Sequence, residues 1–180
     1  LSIGDTWGGG IIAYVFQPGD SGYIEGETHG YILNPLKSGD FIQNQGFAMG
    51  WGCDDIVTGI NNSNFGEGFN NTFLISSQCP TGTGGVWINT ISHAKFWNDL
   101  NDEGYDDWFM PNSYEASKLN PSLLSQLEMG SFYISEESVT NPETTAIRAS
   151  LVSSLPYFSE IIYNTAGKSD GHPSIGIRQF

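Results

Sequence analysis

Apolar and polar positions follow different rhythms in different parts of the chain. Ile11-Ile12-Ala13-Tyr14-Val15-Phe16 is an apolar, β-rich run halted by Pro18-Gly19-Asp20, which predicts a buried strand ended by a turn. Tyr31-Ile32-Leu33, just before Pro35, predicts a second short strand. From Lys37 to Gly68 glycine, asparagine, aspartate and aromatics follow without sustained periodicity, which predicts a long ordered loop region. Helical spacing begins near Asn71 with Phe73, Leu74 and Ile75. It returns after Gly85 in Val86, Trp87, Ile91, Ala94 and Leu100, with an end expected by Gly104. Asn112 or Ser113 is placed to cap a further helix through Tyr114, Ala116 and Leu119, and Pro121 to open its continuation through Leu127. Beyond Gly130 the pattern turns to β: Phe132-Tyr133-Ile134, Thr144 to Val152, Ile161-Ile162-Tyr163, and Ile175 to Phe180.

Strands at both ends with helices between them predict an α+β fold. Its expected parts are an antiparallel sheet, two to three helices, long ordered loops and N- and C-terminal strands paired with each other. At 180 residues the chain is sized for one domain, 1–180. Leu1 is not an initiator, and neither a positively charged leader nor an apolar run of the roughly 18 residues a membrane helix needs is present. The expectation is a mature product, or a piece of a larger surface or fibre protein.

Charge narrows the partners. Twenty acidic residues against six basic ones give a net charge of −14, which repels phosphate backbones, anionic lipid surfaces and sulfated polysaccharides. Nucleic acid and membrane insertion are therefore not expected. Cys53 and Cys79 are the only cysteines. A disulfide between them would close a modest loop and suit an oxidising compartment, with free thiols as the alternative. Asn61-Asn62-Ser63 and Asn70-Asn71-Thr72 are sequons that matter only in a glycosylating host.

Catalytic chemistry needs convergent titratable groups, and His29, His93 and His172 are scattered. No Gly-x-Ser-x-Gly elbow, phosphate loop or His-Glu-x-x-His sequence stands out. The run from Asp99 to Gly104 imitates the first half of a calcium loop, with Asp99, Asn101 and Glu103 as alternating oxygen donors. Its twelfth position is Met110, where such a loop carries a bidentate glutamate. No cofactor is required, and calcium is the one candidate ion. The solvated acids of a helix end are the competing reading.

Ile3-Gly4-Asp5, Gly8 to Tyr14, Trp51-Gly52-Cys53, Asn71-Thr72, Gly104-Tyr105-Asp106-Asp107-Trp108-Phe109-Met110-Pro111 and the closing Ile175 to Phe180 come in an order that resembles the collagen-like adhesin C-terminal domain family. The likeness spans residues 3 to 180, and the segment from Gly104 to Pro111 is its most specific piece. Phe132 to Glu137 stands where the family commonly has Tyr-Trp-Ser-Ser-Ser-Glu, and Arg178 is the one arginine left of the family's usual two at the end. The resemblance implies a C-type-lectin-like fold, also shared with formylglycine-generating enzymes. It further implies a place on a bacterial surface or phage fibre, frequent trimerisation, and binding of a glycan or protein. The enzymes of that fold use cysteines late in the chain, whereas both cysteines here precede residue 80, so recognition and not catalysis is expected.

In such folds the late loops usually read the ligand, which makes Glu136, Glu137, Asn141, Tyr157, Phe158, Asn164, Asp170 and His172 the candidate binding residues. Trp51 and Trp108 are expected in the core. A structural subunit of a virion or extracellular filament, making assembly contacts only, is the alternative to a receptor-binding domain.

Overall fold

A computed structural model describes residues 1–36, 49–79, 81–82, 90–154 and 157–180. For 81, 82, 90, 153, 154 and 157–159 it describes the backbone only. The pattern is α+β, with antiparallel sheets and short helices.

The first sheet has the order β1-β2-β3-β9, with β1 at Thr6–Trp7, β2 at Gly10–Val15, β3 at Gly30–Leu33 and β9 at Ile177–Gln179. Every residue of β3 is buried, so its backbone must be paired on both edges: β2 takes one and β9 the other. The two terminal strands thus share a sheet but do not pair with each other as expected. β1 is a two-residue, exposed arm bonded to β2, and the outer edge of β3 is left for the apolar end of the chain.

The second sheet is a meander of β6 (Ser131–Glu137), β7 (Thr145–Ser154) and β8 (Tyr157–Gly167). A two-residue pair, β4 (Thr81–Gly82) and β5 (Thr90–Ile91), stands apart. The segment 173–177 links the large sheets: the Tyr133 amide donates to the Pro173 carbonyl at 2.8 Å, and Ile177 exchanges both backbone bonds with Phe109.

Strand alternation divides the interior into two cores. Ile32 and Tyr133 face a cluster with Trp51, Trp97, Trp108, Ile75 and the two cysteines. Tyr31, Leu33, Phe132 and Ile134 face a second cluster with Phe16, Phe109, Leu119, Leu124 and Ile177. Trp51 and Trp108 lie in the core, as the sequence led one to expect.

Four helices occur among the described residues: α1 (Glu67–Gln78), α2 (His93–Asp99), α3 (Ser113–Lys118) and α4 (Pro121–Gln126). α1 starts one turn earlier than its apolar spacing predicts. α2 does not begin before His93, because Thr90 and Ile91 are in β5 and the Ser92 side chain caps the helix by accepting from the Lys95 amide. The expected helical positions Val86 and Trp87 lie outside the described residues. α3 and α4 are two helices and not one continuation: Asn120, extended ahead of Pro121, interrupts the first and caps the second. Gly176 is required by close approach, since a Cβ there would stand 2.2 Å from the Trp97 ring.

Candidate functional site

The end of the second sheet where β6 runs out, β7 begins and β8 ends gathers three loops: 54–59, 138–144 and 168–172. Thr145 is paired with Gly167, and the Lys168 amide donates to the Thr144 carbonyl at 2.8 Å, so the last two loops leave the sheet side by side. The first loop is tied to them from below. The Glu137 amide donates to the Ile60 carbonyl at 2.7 Å, and the Glu137 carboxylate accepts from the Thr58 and Gly59 amides at 2.9 and 2.8 Å. The ammonium of Lys168, wholly buried, lies 2.6 Å from Glu137 and donates to the Ile56 carbonyl at 2.7 Å, 5.2 Å from the centre of the Trp51 ring. The Trp51 amide in turn donates to the Lys168 carbonyl, and its indole nitrogen to Ile134.

Glu136 and Glu137 were expected on a ligand-reading loop. Both are instead buried in β6, and their carboxylates are committed within the chain. The apolar neighbours that make β6 a core strand carry them inward. Glu136 accepts from the amide and hydroxyl of Ser113 at 2.6 and 2.7 Å, at the start of α3. Beside it, Asn112 and Glu115 form a reciprocal capping box, and Glu115 also accepts from the Gly68 amide at 3.4 Å. Burial pushes Glu115 up to about 7, against the N–H groups of Asn112 and Gly68, which favour its charged form.

Three of the expected residues do come together. Tyr133, Arg148 and Asn164 occupy one cross-strand row of β6, β7 and β8. Arg148 donates through Nε to Asn164 at 3.0 Å, and its Nη1 lies 2.9 Å from Nε2 of His172. The His172 ring stacks edge-on to Tyr133 at 5.6 Å. Burial and then the charge of Arg148 lower the His172 pKa. Asp170, exposed, accepts from the Gly167 amide at 2.7 Å, and the Tyr133 hydroxyl donates to the Gly167 carbonyl. Below Tyr133 lies His93, fully buried against the backbone of Met49 and His172; burial holds its pKa down at about 4. Arg148 and Tyr133 were missed by sequence reasoning. Their signal was a lone arginine in the otherwise uncharged run from Thr144 to Val152.

Asn141 is exposed in the 138–144 loop, its carbonyl accepting from Thr145. The loop borders a shallow hollow of about 270 Å³ lined by residues 140–144. The side chains of Tyr157 and Phe158 lie outside the described residues, and their backbones pair with Ser154 and Ser153.

The expected calcium donors are not assembled. Asp99 is engaged by Lys95, and Asn101 and Glu103 are exposed. The intervening Asp102 accepts from Asn34 at 3.0 Å. Among the described residues no group of three or more His, Cys, Asp or Glu is placed to hold a metal ion. Cys53 and Cys79 are joined as a disulfide, Cα atoms 5.1 Å apart, which fixes the loop leading to residue 54 onto the end of α1. Asp107 reaches Arg178 at 2.6 Å, and the Arg178 guanidinium covers the Tyr105 ring at 4.0 Å. The Gly104–Pro111 segment and the chain's end, two pieces of the family resemblance, are therefore bonded to each other.

Compared with family models, with curated proteins and with solved structures, the chain matches none. No helix among the described residues is long and apolar enough to cross a membrane.

Proposed function

We propose that this is an extracellular recognition or adhesion domain that binds a glycan or protein receptor through the loop platform at the end of the second sheet. The observation that carries the reading is the rigid support of that platform. Three loops from distant parts of the chain are held together by a buried ion pair whose partners bond backbone groups, so their outward side chains remain available. Loops on a fixed scaffold are the usual setting for recognition. The disulfide supports an oxidising, extracellular location. The resemblance to collagen-like adhesin domains supports the finer reading: a C-type-lectin-like fold, display on a bacterial surface or phage fibre, and trimeric assembly. Calcium, if it takes part, would use Asp99, Asn101 and Glu103 only after Asp99 leaves Lys95.

Binding of the labelled protein to intact cells and to broad glycan and protein panels tests the reading. Saturable binding weakened by Asn141→Ala and Asp170→Ala is the expected result, and absence of binding across all of them would defeat it.

One observation favours the structural-subunit reading. β8 runs eleven residues and, among the described strands, pairs only with β7; a long sheet edge suits strand addition from a neighbour. Electron microscopy of the native assembly separates the two. A terminal knob supports recognition, and a repeat along a shaft with the loop platform buried supports assembly.

A further inference from the structure

The platform exposes aliphatic side chains where a solvated loop would carry polar ones. Val139 is 77% exposed, Val57 51% and Ile56 45%. Their placement is fixed from beneath. The Ile56 carbonyl is held by Lys168, the Thr58 amide next to Val57 is held by Glu137, and Val139 follows Glu137 by two residues. Turning the backbone that carries Ile56 and Val57 inward would therefore break contacts of the buried pair. The same three loops carry Asp55, Glu143 and Asp170, all exposed. The one lysine in these three loops is neutralised by Glu137, and the adjoining Arg148 is engaged by Asn164 and His172. Exposed aliphatic side chains and exposed acids carried on loops that are bonded together suit a protein interface with an electrostatic rim.

Resting on the recognition reading above, we infer that the occupant of this platform is a cationic protein segment, with aliphatic or aromatic residues packing on Ile56, Val57 and Val139 and flanking Lys or Arg meeting the acidic rim. Charge complementarity selects it, because a chain of net charge −14 with an acidic rim repels an anionic partner and attracts a basic one. A saccharide is the poorer fit. Sugars pack on aromatic faces, and the exposed apolar side chains of these loops are aliphatic.

The test uses the intact chain and three synthetic 15-residue peptides, of repeating Lys/Leu, Glu/Leu and Lys/Ser composition, with binding followed by calorimetry at 50 and 300 mM salt. The expected result is binding of the Lys/Leu peptide alone, weakened at least tenfold by Val139→Asp or Val57→Asp and severalfold by the higher salt. Both variants are at exposed positions, and circular dichroism confirms their folding. Equal binding of Lys/Ser, or Lys/Leu binding that the two variants leave unchanged, would overturn the inference, since attraction would then be to overall charge. Absence of Lys/Leu binding would overturn it too. Capture of a neutral glycan that both variants leave intact would refute the cationic-segment inference while leaving the recognition reading standing. Failure of cell, glycan and peptide binding together would remove both.

Discussion

The ammonium of Lys168 and the carboxylate of Glu137 meet at 2.6 Å with both side chains out of contact with water. Every oxygen and most of the protons of this pair are satisfied: Thr58 and Gly59 amides reach the carboxylate, and the Ile56 carbonyl receives the ammonium. Breaking such a pair leaves a buried charge uncompensated, at a cost of about 3–5 kcal/mol. Lys168→Met is therefore expected to destabilise the fold by that amount in denaturant unfolding. Lys168→Met combined with Glu137→Gln is expected to recover part of the loss, because no charge is then buried alone. A single variant within 1 kcal/mol of the wild type would show that the pin is dispensable.

His93 and Glu115 titrate in opposite senses. Burial holds His93 at about 4, below the roughly 6.5 of an unfolded histidine. The unfolded chain binds more protons between those values, so this contribution is complete above about pH 6.5 and lost as pH falls through 4. Burial raises Glu115 from 4.5 to about 7, so the folded chain binds more protons there. Its contribution is complete below about 4.5 and lost as pH rises through 7. Each slope amounts to something on the order of 3 kcal/mol over its window. Between pH 4.5 and 6.5 the two offset each other, and a shallow stability profile is expected. Glu115→Gln should turn it into a profile rising with pH, and His93→Gln into a falling one. Chemical denaturation at half-unit pH steps checks this, and three superimposable slopes would contradict it.

Gly68 leaves no room for a side chain. An added Cβ would lie 2.0 Å from Oε2 of Glu115 and 3.0 Å from the Met110 carbonyl. Gly68→Ala is expected to cost at least about 1–3 kcal/mol through overpacking, although alanine is the better helix former. Shortening the obstacle in Gly68→Ala/Glu115→Ala should give a non-additive result in a double-mutant cycle. Additive losses would mean that the two residues do not press on each other.

Removing the disulfide should be felt globally. Cys53 and Cys79 are separated by 26 positions, and a loop of that length is worth about 3 kcal/mol in the chain-entropy account. Replacement of both cysteines by serine is expected to lower Tm by roughly 6–12 °C for a domain of this size. Reductant should reproduce the shift in the wild type and leave the variant unmoved.

Periodicity made β2, β3, β6 and β7 legible, because alternating or continuous apolar runs bounded by turn residues leave few other uses for the chain. Asn112 and Pro121 likewise announced α3 and α4 through local capping chemistry. The platform was hidden for a physical reason: it depends on pairings between residues 31 to 112 positions apart, such as Lys168 with Glu137 and with Ile56. Glu136 and Glu137 misled because adjacent acids usually mark a solvated turn, whereas here Ser113, Thr58 and Gly59 supply donors that make their burial tolerable. Asn164, Asp170 and His172 were named from the sequence, while their neighbours Arg148 and Tyr133 required the register of three strands.

The pin beneath the platform grips the first loop by backbone atoms alone: a carbonyl at Ile56 and amides at Thr58 and Gly59. Main-chain groups are the same whatever letters the codons spell there. Positions 56 and 57 can accordingly change their side chains while 137 and 168 stay fixed, so a lineage under pressure to change what it touches has a region it can rewrite without renegotiating how it folds.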